Sequence, residues 1–195
     1  MAAHYYYKGF YRTRITGFNF ISKFTDNEAS KINTKAFEVK NFVSKKDFNK
    51  KIIFLVDMSL PSGKNRFFIY DLQNDSVIKA SLVAHGCGDT QFSFTPKFSN
   101  KKESGCTSLG KYRIGKSYSG RFGLAYKLHG LDSTNSNAFN RNIVLHSYSY
   151  VPDEETYPYP ICNSRGCPMV SPSFLKSLQA VIDKSKEPVL LWIFN

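Results

Sequence analysis

Hydrophobic positions along this chain fall into short blocks separated by polar, glycine- and proline-bearing turns, a rhythm of strands more than of long helices. Ile52-Ile53-Phe54-Leu55-Val56 is an unbroken apolar run that stops at Asp57, with Pro61, Ser62 and Gly63 after it. Arg66-Phe67-Phe68-Ile69-Tyr70 follows, then the turn-like Asp71-Leu72-Gln73-Asn74-Asp75, then a block over 76–84 that is apolar at Val77, Ile78, Leu82 and Val83. The pattern predicts three strands joined by turns here. It predicts further strands over 111–114, 123–129 and 143–146. The closing run Pro188-Val189-Leu190-Leu191-Trp192-Ile193-Phe194 has the length and uniform apolarity of a buried strand.

Helix signals are fewer. Ser171 is a suitable N-cap, Pro172 suits the first helical position, and Phe174, Leu178, Val181 and Ile182 fall on one face. Residues 1–49 have mixed periodicity. Asp26 or Ser30 is placed to cap a short helix there, and Ala36-Phe37-Val39-Phe42-Val43 has a partly helical rhythm. Two stretches, 85–109 and 147–166, show no sustained period, and loops this long inside a compact domain are often functional. The expected architecture is mainly β (β-rich α+β): one domain over 50–195 with one or two helices, and a partly helical N-terminal extension over 1–49 packed on it.

Composition narrows the class. A chain of 195 residues with 42% hydrophobic and 15% aromatic content has the material for a core and is not a disordered chain. The formal charge of +12 predicts attraction to polyanions, of which nucleic acid and anionic cell envelope are two. The basic residues are scattered, with short pairs such as Lys45-Lys46 and Lys101-Lys102, and no nucleic-acid motif is visible, so nucleic acid is not the expected partner. No stretch approaches the ~20 apolar residues of a membrane span, and Met-Ala-Ala-His-Tyr-Tyr-Tyr-Lys at the start lacks the pattern of a secretory signal. Taken literally, the chain is soluble and unexported.

The four cysteines are too few for a dense disulfide framework. His85, Cys87 and Cys106, or His146, Cys162 and Cys167, supply metal-ligand types. No Cys-x2-Cys knuckle accompanies them, so neither a metal nor another cofactor is expected. The chemistry concentrates at Cys162-Asn163-Ser164-Arg165-Gly166-Cys167-Pro168-Met169-Val170. A free thiol titrates near pKa ~8.5 and becomes a nucleophile as the thiolate, which a neighbouring cation or imidazole favours. Arg165 supplies charge, Gly166 permits close backbone approach, and His146, closing the run Ile143-Val144-Leu145, is a base of suitable pKa. Cys167 is therefore read as nucleophile and His146 as general base. The amides of Arg165, Gly166 and Cys167 are candidate oxyanion donors, because Pro168 has none to offer.

The run His146 … Ser164-Arg165-Gly166-Cys167 resembles the signature of the murein L,D-transpeptidases, in the branch with proline after the cysteine. The likeness continues through Asp57-Met58-Ser59, Val83-Ala84-His85-Gly86, Ser108-Leu109-Gly110-Lys111-Tyr112, Leu128-His129-Gly130-Leu131-Asp132 and Asn137-Ala138-x-x-Arg141, over residues 52–195. It implies a β-sandwich or barrel domain acting outside the cytoplasm on peptidoglycan stem peptides. Cys167 would attack the carbonyl before a terminal D-Ala and hold the stem as a thioester. An amine of a second stem would then resolve it, or water would, in an L,D-carboxypeptidase. A non-catalytic wall-binding module of the same fold is the other alternative. Two departures stand out. Ser147 replaces the usual glycine and either orients the imidazole or caps a strand, and Met169 replaces the usual Arg or Asn. Substrate contacts are then expected among Arg165, Arg141, Lys111, His85, Gly86 and Ser164, the last of which either holds the turn or faces the substrate.

Overall fold

The computed structural model describes residues 25–195, so the part of the N-terminal extension before Thr25 lies outside the described residues. Eight strands, β1 (Ile52–Asp57), β2 (Phe67–Asp71), β3 (Ser76–Ser81), β4 (Gly110–Gly120), β5 (Gly123–Gly130), β6 (Val144–Ser147), β7 (Met169–Val170) and β8 (Leu190–Phe194), form one mixed sheet. Their order is β3-β2-β1-β8-β4-β5-β6-β7. β1 runs parallel to β8 and β6 parallel to β7, and the remaining neighbours are antiparallel. Three residues beyond β3, Ala84 bridges to Met169 of β7, its amide donating to the Met169 carbonyl at 2.8 Å. The first and last strands of the order are thus joined by a seam, and the sheet rolls round to meet itself.

Central strands read as unbroken apolar runs because both of their faces are covered. Ile52, Phe54 and Val56 of β1, with Leu191 and Ile193 of β8, point into the larger core, which α2 (Pro172–Ile182) completes with Phe174, Leu175 and Leu178. Ile53, Leu55, Leu190, Trp192 and Phe194 point the other way, onto α1 (Asp26–Ser44). That helix buries Ile32, Ala36, Val39 and Val43, spaced four, three and four apart, as one helical face requires.

α1 is nineteen residues long, longer than the short helix expected. Its cap is Thr25, where Asp26 or Ser30 was expected. The Thr25 hydroxyl accepts from the Glu28 amide and the Glu28 carboxylate accepts from the Thr25 amide, a reciprocal capping box. Asp26 is instead the first helical residue, where its charge suits the positive end of the helix dipole. α2 begins where expected: Ser171 caps it by accepting from the Phe174 amide, and Pro172 opens it. The β4–β5 hairpin is longer than its sequence pattern suggested, and the two-residue β7 was not anticipated at all.

Candidate active site

Cys167 lies at the seam, just before β7. β6 and β7 pair in parallel with His146 level with Met169 and Ser147 level with Val170. One step down that ladder, the Val144 amide finds a sulfur as its acceptor: Cys167 Sγ accepts from it at 3.5 Å. The thiol in turn donates towards the Asn142 carbonyl at 3.8 Å. Backbone pairing thus holds the sulfur at the edge of β6, two residues along from His146, and the side chain stays half-buried. Burial pushes the Cys167 thiol above its ordinary pKa. The Val144 amide and the charges of Arg141 and Lys127 act in the opposite direction and offset this only in part. The resting group is a thiol that needs a base.

His146 is 3% exposed. Its Nδ1 lies 2.9 Å from the Ser147 carbonyl. A carbonyl only accepts, so Nδ1 carries the proton and Nε2 keeps a lone pair. Burial lowers the pKa of the imidazole, against a smaller opposite effect of that carbonyl, so near neutrality it is an unprotonated acceptor. Phe122, at the tip of the β4–β5 hairpin and 50% exposed, stacks on the ring at 4.9 Å and 16°. His146 and Cys167 share no hydrogen bond among the described residues.

The turn before Cys167 is fixed from several sides. Ser164 donates its amide to the His85 carbonyl at 2.8 Å, and its own carbonyl accepts from the Cys87 amide at 3.0 Å. Its hydroxyl accepts from the Gly166 amide at 3.0 Å, so Ser164 holds the turn. Gly166 has φ +111°, and a Cβ there would meet the Cys106 carbonyl oxygen at 2.7 Å, so glycine is required for both reasons. Gly86 is equally confined: a Cβ would lie 2.2 Å from the Gly105 oxygen. Thr107 straps the two glycines, accepting from the Gly86 amide at 2.9 Å and donating to the Gly166 carbonyl at 3.3 Å. The Gly166 amide is thereby committed to Ser164, which leaves the Arg165 and Cys167 amides as the candidate oxyanion donors.

Several expected substrate contacts have other places. His85 is 0% exposed. Its Nδ1 accepts from Arg66 Nη2 at 2.9 Å, and its Nε2 meets the Ser93 carbonyl at 3.1 Å. Burial, then the Arg66 charge, brings its pKa down to about 4. Its imidazole is an internal strut and does not line a groove. Arg141 spends its guanidinium on the carbonyls of Ser99 (2.7 Å) and Cys106 (2.6 Å) and the hydroxyls of Ser108 (3.3 Å) and Ser104 (3.2 Å). It clamps the 99–108 loop and affects the thiol only through its charge. Lys111 lies on the α1 side of the sheet, over Trp192 at 4.8 Å and 3.6 Å from Asp132. Arg165 remains exposed, with Nη1 on the Gly88 carbonyl at 3.2 Å. Met169, where a polar side chain is usual, is buried against Leu82, Ala84, Val151 and Ile161.

All four cysteines are free thiols. Cys162 Sγ points at the Tyr150 carbonyl and Cys167 Sγ at that of Asn142. Among the described residues no group of three or more His, Cys, Asp or Glu side chains is arranged to hold a metal ion. Two contributors escaped the reading of the sequence. Phe122 sits in a turn that no periodicity marks. Lys127 carried a signal that could have found it, an outward position between inward Tyr126 and Leu128.

The sequence model of the L,D-transpeptidase catalytic domain matches residues 24–194, and the chain belongs to that family. Among curated proteins none matches the chain. Solved structures similar to it include an L,D-transpeptidase from Xylanimonas cellulosilytica (15% identity, TM-score 0.44, covering 74% of this chain and 60% of that one). Another is an L,D-transpeptidase from Mycobacterium smegmatis (12%, 0.44, 74% and 59%). A third is the helical cell shape determining protein Pgp2 from Campylobacter jejuni (14%, 0.40, 79% and 54%). The chain spans between half and three-fifths of the length of these three.

Proposed function

We propose that this domain is a cysteine-dependent L,D-transpeptidase acting outside the cytoplasm on peptidoglycan stem peptides. His146 Nε2 takes the proton of Cys167 as sulfur attacks the carbonyl before the terminal D-Ala. The oxyanion is met by the Cys167 and Arg165 amides. The imidazolium then returns its proton to the departing D-Ala amine, and the stem remains as a thioester on Cys167. An amine of a second stem resolves the thioester with His146 again as base. Water as acceptor gives a carboxypeptidase instead.

One observation carries this reading: the β6–β7 ladder hands the Val144 amide to Cys167 Sγ, two residues from an imidazole whose Nδ1 proton is pinned by a carbonyl. That supports a base held by an orienter, the Ser147 carbonyl, close along the ladder to the thiol, and the Cys167–His146 hydrogen bond is made when substrate is bound. The test is intact-protein mass after incubation with a tetrapeptide stem. The wild-type chain should gain the stem less D-Ala and Cys167→Ala should gain nothing, a loss of several orders of magnitude in turnover. Full turnover by Cys167→Ala overturns the assignment. Muropeptide products, dimeric or trimmed, separate amine from water as acceptor.

A further inference from the structure

Two cations, Arg141 and Lys127, act on the Cys167 thiol through their charge, and they are not equivalent. Arg141 has four oxygen partners and Lys111 lies on the other side of the sheet over Trp192. Lys127 differs. It sits on β5, in register with Val144 of β6, the residue whose amide holds the sulfur. Because Ala125 pairs with His146 in the same ladder, Lys127 and the imidazole share one face of the sheet.

The Lys127 ammonium is confined without being neutralised. It lies over the Tyr118 ring at 5.1 Å and the Phe139 ring at 5.7 Å, two aromatic side chains that are 38% and 49% exposed. Its hydrogen-bonding partner is the neutral Asn142 side-chain oxygen, at 3.3 Å. The backbone oxygen of that same Asn142 receives the thiol. Among the described residues no carboxylate lies within ion-pair distance of Lys127. A half-buried cation held by two rings and an amide, with no counter-charge, is a binding point for an anion.

We propose that Lys127 is the carboxylate-binding residue of this site, receiving the terminal α-carboxylate of a peptide whose scissile carbonyl lies at Cys167. The spacing suits a short ligand. One strand separation, about 4.8 Å, lies between the backbones of β5 and β6, and in a stem peptide the terminal carboxylate is only a few bonds beyond the carbonyl attacked. Lys127 then fixes which end of the chain is cleaved. This inference rests on the function proposed above for the substrate, but the anion site can be read without it.

The test uses the full chain, with Lys127→Met to remove the charge at similar length and Lys127→Arg to restore it. Alkylation of Cys167 by iodoacetate and by iodoacetamide is followed by peptide mass spectrometry. The ratio of the two rates cancels any change in thiol acidity and reports attraction of the anion. The ratio should fall roughly five- to tenfold in Lys127→Met and recover in Lys127→Arg. In parallel, the wild type should acylate faster with a free-acid tetrapeptide than with its C-terminal amide, a preference that Lys127→Met loses. An unchanged alkylation ratio in Lys127→Met overturns the proposal, and thioester formation would still stand or fall separately. A reduced ratio with no acylation by any stem supports the anion site while removing the transpeptidase function.

Discussion

Two buried histidines flank the turn before Cys167, and the contrast between their surroundings separates a scaffold position from a candidate base. Around His85, both ring nitrogens are bound, one by the Arg66 guanidinium and one by the Ser93 carbonyl, and the side chain has no exposed surface. Around His146, one nitrogen is pinned by a carbonyl and the ring is bordered by a half-exposed phenylalanine. Burial lowers both pKa values. Depth and acidity therefore do not identify the base. The uncommitted nitrogen is what suits His146, and not His85, to the proposed role.

Exchanging each ring for an amide sharpens this contrast most. In His146→Gln no group can take the thiol proton at neutral pH, and acyl transfer should fall on the order of a thousand-fold. In His85→Gln the amide oxygen can accept from Arg66 and the amide nitrogen can donate to Ser93, so activity should stay within a few-fold. Steady-state rates on the two purified variants decide it, and equal losses would erase the distinction. The wild-type kcat/KM should rise with pH through an inflection below the ordinary histidine value of about 6.5, because the unprotonated imidazole is the active form.

Stability gives the next largest effect, and on the other histidine. The folded-state pKa of His85, about 4, lies below its unfolded value of about 6.5, so the unfolded chain binds a proton that the native state refuses. The stabilisation is complete above pH ~6.5 and is lost progressively as pH falls towards 4, by up to about 3 kcal/mol. Denaturant melts across that window should show this slope in the wild type and lose it in His85→Gln. A slope that survives the substitution belongs to another group. The smallest effect concerns Phe122, whose ring face favours the imidazolium against it. Phe122→Leu should lower the acid inflection of kcat/KM by less than about one unit, and an upward shift would contradict that role.

The sequence was most legible where burial is continuous. Ile52 to Val56 and Leu190 to Phe194 read as strands because neighbours on both faces demand apolar side chains at every position. The candidate nucleophile and base, Cys167 and His146, were named from residue type, order and family likeness. Thr25-x-x-Glu28 has the capping-box spacing, but Asp26 and Ser30 are also residue types that cap helices, so type alone does not choose among them. What sequence could not carry was partnership across distance. Nothing near Arg141 in the chain tells that its acceptors come from residues 99–108, and nothing near His85 tells that Arg66 will reach it. β7 exists only because β6 and Ala84 are there to pair with it.

The sulfur that completes the β6 ladder has one more consequence. Once it carries an acyl group its electrons are delocalised towards the new carbonyl, and it becomes a poorer acceptor for the Val144 amide. Each turnover of the proposed reaction would thus loosen and remake one rung of the fold. The exchange of that single amide proton with solvent would then serve as an internal clock for the lifetime of the proposed covalent intermediate, readable without any label on the substrate.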